Sequence, residues 1–287
     1  MKSLVLFIFS LTTFFSMAST LSLVDVPANV FVNKGKTNLD SIFHRTGVES
    51  AVQEVFNQRI LYHDYTLEIN PNSNFETYWS VFENRWNFVD LNNDGTYELI
   101  MQGQNTNLDE KEFVEMYKKS TNGWEKIHSE VGRLLAYKIH PNTQKIILYQ
   151  HRYPCCKSAS HTIIAVRLLR DKIYTTSRFF VGRDNGDMVG PFYPDSVQYT
   201  SSFKLLKNKT LLRWSPKVVE ENAFLGYSAT NAIIHYDEGA IYKSLYSKDN
   251  WSFVLMYSGI VTEQAVVINP ANFQFKPVYG WIFEGDN

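Results

Sequence analysis

A chain of 287 residues accommodates one large domain or two smaller ones. Hydrophobic residues at 44% and charged residues at 20% belong to a packed globular protein and exclude a disordered one. With 28 Lys and Arg against 29 Asp and Glu, the net charge of -1 offers no basic footprint for nucleic acid or for an anionic membrane surface. Aromatic residues at 15%, including 17 Tyr and 20 Phe, suit pleated, half-buried surfaces and lean the expectation toward strands.

The chain opens on Met1-Lys2-Ser3, then an apolar run from Leu4 to Phe15, then Ser16-Met17-Ala18 with small residues where a signal peptidase cleaves. A basic start, a short apolar stretch and a small-x-small exit are the parts of a secretory signal. Residues 1–18 are expected to be removed after Ala18, leaving a secreted or periplasmic protein. A membrane anchor needs about 20 apolar residues, and Ser19-Thr20 ends this run too soon. No later segment is long and apolar enough to span a bilayer, so no membrane insertion is expected once the signal is gone.

Beyond an irregular stretch from Leu21 to Thr37, Val48 to Arg59 places Val48, Ala51, Val52, Val55 and Phe56 on one helical face. This is the single short helix expected. From there the pattern becomes period two with turn residues between short apolar runs. Leu61 to Ile69 alternates until Asn70-Pro71-Asn72, and Trp79 to Val89 is a candidate strand that runs into an acidic loop.

That loop, Asp90-Leu91-Asn92-Asn93-Asp94-Gly95-Thr96-Tyr97-Glu98, carries the sharpest chemistry in the chain. Calcium takes six to eight hard oxygens. Side-chain oxygens of Asp90, Asn92 and Asp94 at alternate positions converge if the backbone wraps an ion, and Gly95 permits the sharp turn. Thr96 would offer its carbonyl, and Glu98 a last carboxylate, directly or through water. The crowding of three carboxylates in this short loop also favours a neutralising cation. The opening positions match an EF-hand, but its twelfth position, which needs a bidentate Glu, is Met101, and the flanks read as strands rather than helices. The segment resembles the strand-loop-strand calcium loops of integrin-type β-propeller repeats, where D-x-N-x-D-G-x-x-[DE]-L is typical. That resemblance implies a structural calcium ion held by Asp90, Asn92, Asp94, Thr96 and Glu98. The loop is present as a single good copy.

Tyr97 to Gln102 leaves the loop as a strand. Phe113 to Lys118 and Trp124 to His128 flank Ser120-Thr121-Asn122-Gly123, a hairpin signal because Asn-Gly accepts positive φ. Leu134 to Ile139, Lys145 to His151, Thr162 to Leu169 and Ile173 to Val181 continue the series; Asp184-Asn185-Gly186-Asp187 is a turn and Thr210 to Trp214 a further strand. Such spacing indicates an antiparallel sandwich, barrel or partial propeller. Between two of these strands, His151 to His161 gathers two His with the adjacent Cys155 and Cys156. Neighbouring Cα atoms stand about 3.8 Å apart, short of the usual disulfide span of about 4.4 Å or more. The pair forms either a strained vicinal ring or two thiols, and its spacing does not suit a zinc site.

Around Ser215 to Ser228 the strand pattern lapses, which divides the chain into a β-rich domain with the calcium loop (19–224) and a C-terminal domain (225–287). In the latter, Ala232-Ile233-Ile234, Asp237-Glu238-Gly239, Tyr242 to Tyr246, Asp249-Asn250-Trp251 and Tyr279-Gly280-Trp281-Ile282 follow in turn. This series resembles bacterial SH3-like domains, with a longer connection, Ser258 to Pro277, before the last strand. The resemblance implies a small β-barrel that binds peptides or cell-wall stems. Some periplasmic lysozyme inhibitors likewise carry a single D-x-N-x-D-G loop on a propeller-like β fold, which adds inhibition of a cell-wall hydrolase to the expectations. Taken together, the chain reads as an exported, calcium-stabilised binding module for a cell-envelope component, either peptidoglycan peptide or protein. The alternative is a hydrolase acting on envelope polymers, with its chemistry between His151 and His161. Asn208-Lys209-Thr210 and Asn250-Trp251-Ser252 fit the glycosylation sequon, which matters only in a eukaryotic secretory route.

Overall fold

A computed structural model gives the structure of the chain and describes residues 38–61, 74–104, 112–152, 160–183, 193–198, 202–218, 223–224, 227–228, 231–258 and 278–286. The leader 1–18, the strand expected after Leu61, the pair Cys155–Cys156 and the turn Asp184–Asp187 lie outside the described residues.

The protein is mainly β, as its composition and turn spacing indicate. Strands β1 (Trp86–Val89), β2 (Glu98–Gln104), β3 (Glu112–Ser120), β4 (Gly123–Ile139), β5 (Ile146–Arg152), β6 (Ser160–Leu169) and β7 (Lys172–Arg183) pair in sequence order, each antiparallel to the next. Then follow β8 (Lys204–Leu205), β9 (Thr210–Arg213), the two-residue pair β10 (Ala223–Phe224) and β11 (Tyr227–Ser228), β12 (Ala232–Tyr236), β13 (Ile241–Lys248), β14 (Trp251–Ser258) and β15 (Val278–Phe283). Hydrogen bonding runs on from β7 to β15, β14, β13 and β8, while β9 joins both β12 and β15. Strands from both sides of residue 225 therefore share one hydrogen-bonded path. Among the described residues only β7 and β15 pair in parallel, through Val278 and Phe180.

Two helices cover one face of the first strands. Helix α1 (Val48–Asn57) buries Val48, Ala51, Val52 and Val55 at helical spacing, as its periodicity predicts. Helix α2 (Phe75–Phe82) corrects the sequence reading, which began a strand at Trp79. Asn74 caps it, its Oδ1 accepting from the Thr77 amide at 3.0 Å and the Thr77 hydroxyl at 2.8 Å. Phe75, Tyr78, Trp79 and Phe82 recur at helical spacing, a signal masked by the apolar alternation downstream. Tyr78 is buried with Trp86, Met101, Phe113, Tyr117 and Trp124 beneath the helices, and Trp79 and Phe82 pack against this cluster. These aromatics are core, each fully buried ring stabilising the fold by about 1.5–3 kcal/mol.

Alternate residues of β3 face opposite ways into two cores. Phe113 and Tyr117 point to the helices, whereas Val114 and Met116 join Ile100, Leu134, Leu148, Ile164 and Val166 in a second cluster. Strands β5 and β6 are also buried on both faces: Tyr149, Ile163 and Ala165 meet Phe253, Leu255, Tyr279 and Trp281 of β14 and β15. That layering is a sandwich, and it explains the near-continuous apolar runs of these strands.

Strand β4, 17 residues long, replaces the two short strands expected at Trp124–His128 and Leu134–Ile139. Its first half pairs with β3 up to Val131, and from Gly132 onward it pairs with β5. Gly132 takes φ 140°, and a Cβ there would stand 1.8 Å from the His151 carbonyl oxygen. The β3–β4 turn falls where expected, with Ser120 paired to Gly123, and of its four residues Gly123 alone has positive φ, 113°. Replacing Gly132 by Ala is expected to destabilise the protein by about 2 kcal/mol or more, read as a lower urea midpoint. Ala at Gly239, where no atom stands within 4 Å of the added carbon, separates this close approach from backbone strain alone.

Candidate metal site

The acidic loop lies between β1 and β2, closed at its base by the pairing of Val89 with Glu98. Both flanks are strands, as expected, and Leu91 anchors the loop in the second core. Two residues turn the chain: Asn93 at φ 57° and Gly95 at φ 83°. The loop carboxylates meet backbone amides. Asp90 Oδ1 accepts from the Asp94 amide at 3.1 Å and Oδ2 from the Gly95 amide at 2.9 Å. Asp94 Oδ1 accepts from the Thr96 amide at 2.8 Å, and its Oδ2 from Asn92 Nδ2 at 2.7 Å. Asn92 Oδ1 accepts from the Asp94 amide at 3.2 Å. The residues expected to hold an ion are thus gathered in one wrapped loop, with Thr96 exposed at its outer side.

Glu98 stands apart. It is fully buried, its Oε2 accepts from the Leu91 amide at 2.9 Å, and its Oε1 is buried with no hydrogen-bond partner. Burial, together with the charges of Asp94 and Asp90, raises its pKa to about 7 against the opposing pull of the Leu91 amide. Lys118 acts on it from a distance but donates to Asp171 Oδ1 at 3.0 Å. A second buried carboxylate, Glu115, shows what a self-sufficient arrangement looks like. Lys126 Nζ lies at 2.7 Å from its Oε1, and the Tyr117 hydroxyl donates to its Oε2 at 2.5 Å. Sequence reasoning missed Glu115, whose partners come from register across β3 and β4.

A buried carboxylate oxygen without a partner, subject to the charges of Asp90 and Asp94, is where a hard cation could bind. Asp90, Asn92, Asp94 and Glu98 would supply side-chain oxygens and Thr96 a carbonyl. Among the described residues no three His, Cys, Asp or Glu side chains are already gathered as a ready metal cage. Holding an ion there would require the loop carboxylates to turn from their amides toward Glu98.

Elsewhere, His151 is buried on β5, and the backbone of His161 lies on β6. Among the described residues no helix is long and apolar enough to cross a membrane. No protein family matches the chain by its sequence profile, and no curated protein or solved structure is detectably similar to it.

A carboxyl whose folded pKa exceeds its unfolded value stabilises most below the unfolded pKa and loses that contribution as pH rises through the folded one. The chelator-treated protein is therefore expected to lose melting temperature between about pH 4.5 and pH 7, and Glu98→Gln to flatten that slope. An unchanged slope in the variant would assign the pH dependence to other groups.

Proposed function

We propose that this chain is an exported binding module for a cell-envelope component, with a β scaffold stabilised by one calcium ion in the Asp90–Glu98 loop. The observation that carries the calcium reading is the buried Oε1 of Glu98, left without a partner at the closing position of the loop. A carboxylate in that state is costly unless it is protonated or meets a cation. The ion's role is structural: it would join the β1–β2 loop to the second core through Leu91, whose carbonyl accepts from the Ile146 amide of β5 at 2.9 Å.

The envelope reading is supported by the leader-like residues 1–18 and by the resemblance of 225–287 to SH3-like domains. The strands β13, β14 and β15 run as an antiparallel meander, with the β13–β14 turn made by Asp249 and Asn250 at φ 52° and 64°. Peptidoglycan peptide or an envelope protein is the partner on this reading.

Calorimetric titration of the chelator-treated protein is expected to show saturable calcium binding near one equivalent, abolished in Asp90→Ala and in Asp94→Ala. Absence of binding would reduce the loop to a turn. With calcium, the protein is expected to co-sediment with purified peptidoglycan sacculi; failure to do so while calcium binds would remove peptidoglycan from the reading and leave the ion site intact.

A further inference from the structure

At the end of the first four strands, away from the acidic loop, lies a cavity of about 150 Å³. Asn84 and Arg85 reach it from the turn before β1, Asn87 from β1, Gln102 from β2, Glu112 from β3 and Arg133 from β4. Its position follows from register: β2 and β3 end together at the pairing of Gln104 with Glu112, and β4 turns its corner at Gly132. Two glycines shape the walls. Gly103 leaves the Phe113 ring room to lie against the backbone, since a Cβ there would stand 2.1 Å from it, and Gly132 brings β4 against the His151 carbonyl.

Four of the polar side chains that line this cavity are uncommitted among the described residues. The side chains of Asn84, Arg85, Asn87 and Gln102 make no hydrogen bond or ion pair among the described residues. Arg133 Nε is buried without a hydrogen-bond acceptor; the Glu112 carboxylate faces it only at 3.9 Å, beyond hydrogen-bond reach. A structural polar cluster closes its hydrogen bonds internally, as Glu115 does with Lys126 and Tyr117. Here two guanidinium groups and three amides share a concave space with a single carboxylate, so the cavity holds an excess of donors and of positive charge. Guanidinium groups match carboxylates geometrically, and side-chain amides suit the adjoining peptide group.

We propose that this cavity is a binding site for the terminal carboxylate and last amide of a short peptide. The carboxylate lies against Arg85 and Arg133, and Asn84, Asn87 and Gln102 bond the peptide group behind it. The site itself stands on the cavity's geometry and charge; only the choice of a D-amino-acid peptide rests on the cell-envelope reading above.

The test is calorimetric titration of the calcium-loaded chain with N-acetyl-D-alanyl-D-alanine, its C-terminal amide, the L,L acid and inorganic phosphate. Saturable binding of the acid, at least about tenfold weaker for the amide, is the expected result. Arg133→Gln and Arg85→Gln are each expected to weaken acid binding about tenfold or more with an unchanged melting temperature, and Glu112→Gln to tighten it by relieving repulsion. Arg85 is exposed on its turn, so its variant carries the test if Arg133→Gln fails to fold. Equal binding of acid and amide, indifference to both arginine variants, or binding of phosphate alone would overturn the carboxylate site. Equal binding of the D,D and L,L acids upholds the site and argues against the cell-envelope reading instead.

Discussion

Taking an ionised carboxylate out of water costs several kcal/mol unless a partner charge and hydrogen bonds replace the lost hydration. Glu98 pairs with Val89 at the first turn of the sheet and is fully buried, yet only one of its oxygens accepts a hydrogen bond. The donor is the amide of Leu91, whose side chain lies in the second core and whose carbonyl accepts from Ile146 at the start of β5. The state of this one carboxylate is thereby tied to the loop, the β1–β2 hairpin and the start of β5. Calcium or a proton can neutralise it.

The remainder of the architecture depends on strands that are buried twice. Phe113, Glu115 and Tyr117 sit under the helices while Val114 and Met116 fill the opposite core. Helix α1 is tied to the same sheet by Glu54, whose Oε2 accepts from Trp124 Nε1 at 3.0 Å and from Lys119 Nζ at 2.8 Å. Gly132 then lets one strand serve two partners in succession. The ladders of β2, β3 and β4 hold the walls of the cavity at their rim, where Phe113 belongs both to the helix-side core and to the cavity lining.

Strand positions were legible because turn residues punctuate them, and helix α1 because its apolar residues fall at helical spacing with no competing pattern. Helix α2 was not, since its second half, with Trp79 and Phe82, also read as the start of the strand running into the loop; the Asn74 cap was the signal that separates the two. The turn at Thr121–Asn122 was legible from Asn122-Gly123, although Gly123 alone supplies the positive φ. For the acidic loop, residue types and spacing located the oxygens but not the burial of Glu98, which tertiary packing imposes. The cavity could not be read from the sequence, because its residues are scattered from Asn84 to Arg133 and meet only through strand register.

The most direct test of the central claim compares thermal melting of the chain and of Glu98→Gln at pH 8, each with calcium and with chelator. If the buried charge is the cost that calcium relieves, calcium raises the melting temperature of the parent by several degrees. The variant melts higher than the parent in chelator and no longer responds to calcium. A variant that melts lower than the parent in chelator and still gains from calcium would contradict the account.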